Sequence, residues 1–233
     1  MATDLVNTFE GGADGVTLTT GNSGGASGDA FTGVANWVFT NVQKRGTMAI
    51  RVVNPAAAIF VVRWATVGTP AALRGYVWFT TLPAVDITLL HLGDGASASF
   101  TITTAGKARL TVAGTQWTAT ANFPTNQWVR VELFATASTN SANGTAKIAY
   151  YLGDDTSAVE ESGLISNLNT AAATGTFNNS RYGKNSTGSY PGDIYLDNLA
   201  SRYGTGTTDF IGPAVTPPIV GSVDLVWTGG AWE

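Results

Sequence analysis

Apolar residues recur at every second position along most of this chain, a period of two that marks β-strands rather than helices. Over residues 127–136, Val129, Val131, Leu133 and Ala135 alternate with Trp128, Arg130, Glu132 and Phe134, which puts the two sets on opposite faces of one strand. Ala98, Phe100 and Ile102 alternate with Ser97, Ser99, Thr101 and Thr103. Beyond Ala105 and Gly106 the pattern resumes with Ala108, Leu110 and Val112, which predicts a hairpin. Ile148, Tyr150 and Leu152 form another apolar face, and residues 58–64, 76–80 and 87–92 are dense enough in apolar side chains to suit strands covered on both faces.

Glycine-rich punctuation separates these runs at Gly11-Gly12, between Gly21 and Gly28, at Gly93-Asp94-Gly95, at Gly153-Asp154-Asp155 and between Gly204 and Gly206. Roughly a dozen strands at such spacing predict an all-β fold, a two-sheet antiparallel β-sandwich of jelly-roll type. Residues 22–29 are expected to cross the surface as a loop, and 157–169 to hold one short turn of helix. The sandwich is expected to span 1–213 as one domain. Residues 214–233 then read as a Pro-containing linker and a short arm bearing Val223, Leu225, Trp227 and Trp232. About ten residues cannot bury a core of their own, so this arm is expected to dock on its own domain or on a neighbour.

Composition narrows the function classes. The length of 233 residues suits one large all-β domain, and the absence of cysteine excludes disulfides and thiolate metal sites. A net charge of −4 and the lack of any basic run argue against a nucleic-acid partner. Charged residues make up only 12% of the chain, about half the usual share, and Thr, Ser, Asn and Gly supply the polar surface instead. Residues 1–6 carry neither a basic nor an apolar leader region, and no apolar stretch is long enough for a membrane span. A hydroxyl-rich surface without an export signal is expected of a protein made in a host cytoplasm and released by lysis, as virion proteins are.

Two segments stand out chemically, Asn7-Thr8-Phe9-Glu10-Gly11-Gly12 and Gly192-Asp193-Ile194-Tyr195-Leu196-Asp197-Asn198-Leu199. Carboxylates on the first and last strands of a sandwich can meet across their paired edge and share a hard cation such as Ca²⁺, which prefers oxygen ligands. With the run from Thr20 to Phe31 and the segment Asn126-Gln127-Trp128-Val129-Arg130-Val131-Glu132, their order resembles the concanavalin A-like (laminin G-type) lectin/glucanase jelly-roll proteins of actinobacteria and their phages. The resemblance covers about residues 5–213. It implies a structural calcium held by Glu10 and Asp197, with Asp29 as a weaker third ligand. The competing reading is that Glu10 caps a turn and Asp197 binds loop amides with no metal.

Enzymes of this fold class need specific side chains that are not evident here. A paired-carboxylate motif Glu-x-Asp-x-x-Glu is absent, and Asp154-Asp155 and Glu160-Glu161 read as solvated turn residues. The single histidine, His91, lacks the glutamine two positions earlier that alginate-lyase-like strands carry, and it reads as a strand-end residue. No Gly-x-Ser-x-Gly elbow is present. The chain is therefore expected not to be an enzyme. Trp64, Trp78 and Trp117 are candidates for stacking on sugar rings, against the competing reading of core packing, and Trp128 is expected at a sandwich edge. The expected function is a non-catalytic structural or binding protein, a phage capsid-decoration or minor tail protein with affinity for a host cell-surface glycan. Its expected partners are other virion proteins and further copies of itself, at the exposed virion surface. The alternatives are a secreted carbohydrate-binding module and a divergent glycoside hydrolase or polysaccharide lyase.

Overall fold

The alternating runs become strands because each can bury one row of side chains while its backbone pairs with neighbours on both sides. A computed structural model of the chain describes residues 1–52, 59–93, 97–139, 143–170, 175–184 and 192–214. In chain order the strands are β1 (Thr3–Asn7), β2 (Gly33–Ala35), β3 (Trp37–Thr40), β4 (Ala49–Val52), β5 (Phe60–Gly68), β6 (Ala71–Phe79), β7 (Ile87–Leu92) and β8 (Ser99–Ile102). There follow β9 (Ala108–Thr111), β10 (Thr115–Thr118), β11 (Val129–Thr136), β12 (Gly144–Leu152), β13 (Glu160–Glu161), β14 (Ile165–Leu168), β15 (Phe177–Lys184) and β16 (Ile194–Tyr203).

Among the described residues these strands form two antiparallel sheets. The nine-stranded sheet runs β13-β12-β11-β6-β16-β4-β3, with β1 also paired to β16 and β14 to β12. The seven-stranded sheet runs β10-β9-β8-β7-β15-β5-β2. The apolar set predicted on β11 (Val129, Val131, Leu133 and Ala135) faces the other sheet, and β8 and β9 form the hairpin read from the alternation. Trp64, Phe31 and Tyr182 pack together between the sheets, with ring centroids 4.7 Å and 5.6 Å from the Trp64 indole. Phe123 joins Phe79, Phe100 and Tyr150 in a second aromatic cluster.

First and last strands meet as expected: β1 lies antiparallel to β16, with Val6 opposite Ala200. The spelling of the first segment has a physical cause. Asn7 is buried, donates to the Ser23 and Asp29 carbonyls (2.6 and 3.0 Å) and accepts from the Phe9 amide, so it staples the 20–30 loop to the first strand. A Cβ on Gly12 would collide with the Phe39 ring. In the second segment, the β16–β6 register slips between Asp197 and Ala200, and Asn198 takes φ 47°, a left-handed value that asparagine tolerates better than most residues.

Two expectations about loops are corrected. Residues 157–169 hold β13 and β14 rather than a helical turn, because the exposed edge of β12 offers backbone partners there. Glu160 is not a free turn residue either: its carboxylate accepts the Thr120 and Ala121 amides (3.0 and 2.9 Å) and the Tyr150 hydroxyl (3.1 Å), tying the edges of the two sheets together. After β16 the chain passes Gly204 and lays residues 209–214 as a strap over the outer face of the nine-stranded sheet. The expected docking residues Val223, Leu225, Trp227 and Trp232 lie outside the described residues.

Candidate functional site

Residues directly opposite one another in an antiparallel ladder share a face. On the outer face of the seven-stranded sheet, this rule assembles a row from six strands. Gly33 stands opposite Arg63, Arg63 opposite Arg181, Arg181 opposite His91, His91 opposite Ser99, and Ser99 opposite Thr111. At the usual strand spacing the row is about 24 Å long. Gly33 matters because a Cβ there would collide with the Arg63 side chain, so the guanidinium stem lies across β2. Gly33, Val34, Val61, Arg63 and Arg181 line an open cleft of about 210 Å³.

Arg63 and Arg181 are the charged side chains of the row, and three other polar atoms on this face lack a hydrogen-bond partner. Burial holds the Arg181 guanidinium below the usual arginine range, and the neighbouring Arg63 charge adds to the effect. His91 is pushed down to about 4, first by burial and then by the Arg181 charge, while a hydrogen bond to the Gly93 main chain opposes the shift. At neutral pH the imidazole is therefore uncharged. Its Nε2 is buried without a hydrogen-bond partner, and so are Thr111 Oγ1 at the far end of the row and Asn179 Oδ1 on the same face of β15. Buried polar atoms are rarely left unpaired, so these three call for a bound water or another partner. Sequence reasoning treated His91 as a strand-end residue and did not select Arg63 or Arg181.

The predicted carboxylates occupy the other side of the molecule. Asp197 is fully buried; its Oδ2 accepts the Arg45 amide and its Oδ1 the Asn198 amide, each at 2.7 Å. Glu10 accepts the Thr47 amide at 2.8 Å and also the Thr47 hydroxyl. Both acids therefore grip the 45–47 loop, and Gly46 allows it because a Cβ would run into the Glu10 carboxylate. Burial pushes Asp197 up to about 7, and the Glu10 charge adds to that rise against the two amide hydrogen bonds. The nearby Arg45 guanidinium is turned away, bonded to Asp154 at 2.7 Å and stacked on Tyr76. This donor set suits a hard cation whose remaining ligands are main-chain oxygens or water. Asp29 does not join it: among the described residues no three His, Asp or Glu side chains come together, and the Asp29 carboxylate instead accepts the Val6 amide at 2.8 Å.

The three tryptophans divide. Trp64 is only 2% exposed and lies between the sheets, so it offers no ring face to a sugar, which corrects its selection as a ligand contact. Trp78 is half-buried on the outer face of the nine-stranded sheet, edge-on to Trp128 with centroids 5.9 Å apart. Trp117 sits on the edge strand β10, partly covered by the core.

No protein-family model matches the sequence, and no curated protein matches it. Solved structures do. The endo-β-1,4-glucuronan lyase of the fungus Trichoderma reesei superposes with a TM-score of 0.53 at 14% identity, over 85% of this chain and 94% of that one. The fold is a concanavalin A-like jelly roll. An alginate lyase of polysaccharide lyase family 7 is similar with a TM-score of 0.47 at 10% identity, over 70% of this chain and 81% of that one. The botulinum neurotoxin serotype G binding domain gives 0.47 at 9% identity, over 84% of this chain and 46% of that one.

The likeness to the glucuronan lyase corrects the expectation that the chain is not an enzyme, without making it one. A polysaccharide lyase has the same architecture over nearly its whole length, so the missing glucanase carboxylates do not set this sandwich apart from the enzymes of its fold. The phage setting rests on the sequence alone.

Proposed function

We propose that the outer face of the seven-stranded sheet binds a carboxylated polysaccharide, read by Arg63 and Arg181 and flanked by the hydroxyls of Ser99 and Thr111. The observation that carries this reading is the row that sets Arg63 beside Arg181 and Arg181 beside His91 on one sheet face. A carboxylate bridging the arginines relieves their mutual repulsion, and guanidinium is the side chain best matched to that geometry. Isothermal titration with polyglucuronate, alginate and a neutral glucan tests it. Binding of the acidic polymers alone, lost in Arg181→Ala, supports the reading; equal binding of the neutral glucan contradicts it.

A second reading adds chemistry at the same face, favoured by the neutral His91. With the uronate carboxylate neutralised by arginine and the imidazole rotated out of its buried position, Nε2 accepts the proton from C5. The electron pair forms the C4–C5 double bond, the C4–O bond breaks, and the imidazolium returns its proton to the leaving oxygen. The ultraviolet absorbance of the unsaturated uronate product reports this reaction directly, and its absence from a protein that binds the polymer leaves a binding module.

Glu10 and Asp197 are proposed to hold a structural Ca²⁺, which supplies positive charge where two carboxylates meet and locks the 45–47 loop between the first and last strands. The virion setting, with other virion proteins or copies of this chain as partners and a cell-surface glycan as ligand, is proposed from the low-charge, hydroxyl-rich composition. Density-gradient purification of particles followed by mass spectrometry tests it, and a chain found only free in the medium contradicts it.

A further inference from the structure

The strap at residues 209–214 covers a polar cluster that neither the cation pair nor the arginine row explains. Arg130 and Glu132 lie on one strand, joined by a 2.8 Å ion pair, and Arg74 stands directly opposite Glu132 across the β11–β6 ladder. All three are almost fully buried, at 2%, 0% and 6% exposed. Arg130 takes Glu132 as its ion-pair partner, and among the described residues no carboxylate forms an ion pair with Arg74. Glu132 is fully engaged, its second oxygen accepting the Gly212 amide at 2.9 Å. Arg74 must make do with carbonyls: Nη1 donates to Gly212 at 3.2 Å and Nε to Asn198 at 3.4 Å, both long for a charged donor. Burial accordingly pulls the Arg74 guanidinium below the usual arginine range.

Arg74 also forms part of the wall of a cleft of about 300 Å³ between the strap and the paired strands β1 and β16. Val6, Ala200, Ile211 and Pro213 make its apolar walls, and Thr8 and Asn198 add polar edges. At the rim Arg202 is already neutralised by Asp4, with N–O distances of 2.7 and 3.0 Å.

We propose that this cleft is a binding site for a small organic carboxylate, whose charge pairs with Arg74 while its apolar body lies against Val6, Ala200 and Ile211. One negative charge matches the single unpaired guanidinium of Arg74, whereas a phosphate dianion overshoots it and wastes the apolar walls. A buried charge gains most from a partner brought into the same low-dielectric site. The ligand also rests on the strap, so its binding holds residues 211–214 against the sheet.

Benzoate, its neutral amide benzamide, and inorganic phosphate at matched ionic strength are the probes, read by thermal shift and by backbone amide chemical shifts of the full chain. Benzoate is expected to raise the melting temperature saturably and to move the Val6, Ala200 and Ile211 amides. Benzamide and phosphate are expected to do neither. Arg74→Gln is expected to weaken benzoate at least tenfold. Val6→Trp, which fills the cleft and leaves Arg74 in place, is expected to abolish the response and guards against a folding defect in the arginine variant. Equal responses to benzoate and benzamide, unchanged affinity in Val6→Trp, or shifts confined to residues around His91 would each overturn the assignment. The last outcome would move the carboxylate to the opposite face without touching the polysaccharide reading.

Discussion

Arg181 stands directly opposite His91 across the β15–β7 ladder, and its charge helps hold the imidazole uncharged at neutral pH. Neither residue has this character alone. The guanidinium makes the face attractive to anions, while burial and that same guanidinium keep the histidine a free acceptor.

The chain has one histidine, so its imidazole gives a single titrating NMR signal. Its midpoint is expected at about 4, against 6.5 for an exposed histidine. Arg181→Ala is expected to raise it by removing the like charge, and a bound acidic oligosaccharide is expected to raise it too. Because the folded value is depressed, this group contributes about 3 kcal/mol of stability above pH 6.5 that is lost as pH falls towards 4. A midpoint near 6.5 in the free protein would contradict the account of the row.

Asp197 has the opposite sign. Its folded value is raised from 3.8 to about 7, so the folded state holds the proton more tightly and stability falls as pH climbs through that window. The cost above pH 7 is about 4 kcal/mol. Asp197→Asn is expected to abolish this slope. Added Ca²⁺ is expected to flatten it and to raise the melting temperature, because a ligand that binds only the folded state stabilises it by mass action. A melting curve identical with calcium and with chelator, on metal-free protein, removes the cation from the account.

Trp64 and Trp78 should separate in denaturant unfolding. Trp64→Ala empties a site between the sheets and is expected to cost about 3–5 kcal/mol. Trp78→Ala trims a half-buried ring on an outer face and is expected to cost clearly less. Similar losses at both would contradict the placement of Trp64 in the core and Trp78 outside it.

Much of the fold is legible in local pattern. The alternation of Val129, Val131, Leu133 and Ala135 sets the inner face of β11 without knowledge of any partner strand. The same parity places Trp64 in phase with Phe60 and Val62, both buried, and Arg63 out of phase with them, so the core role of Trp64 was readable from its strand. The Glu10 and Asp197 segments announce themselves as acids near the two ends of the sandwich, on the first and last segments of the motif order. The candidate site is different in kind. Arg63, His91 and Arg181 come from three strands far apart in the chain, and only the register of β5, β15 and β7 lines them up. The strap is equally hidden, since Gly212 meets Glu132 through main-chain atoms that no side-chain pattern encodes.

The most direct test of the central claim is the affinity of polyglucuronate for the native chain and for the Arg63→Ala/Arg181→Ala double variant, measured at low salt beside a neutral glucan. The account predicts saturable binding of the acidic polymer only, weakened at least a hundredfold in the double variant with its melting temperature little changed. Binding that survives loss of both arginines, or that the neutral glucan reproduces, would contradict it.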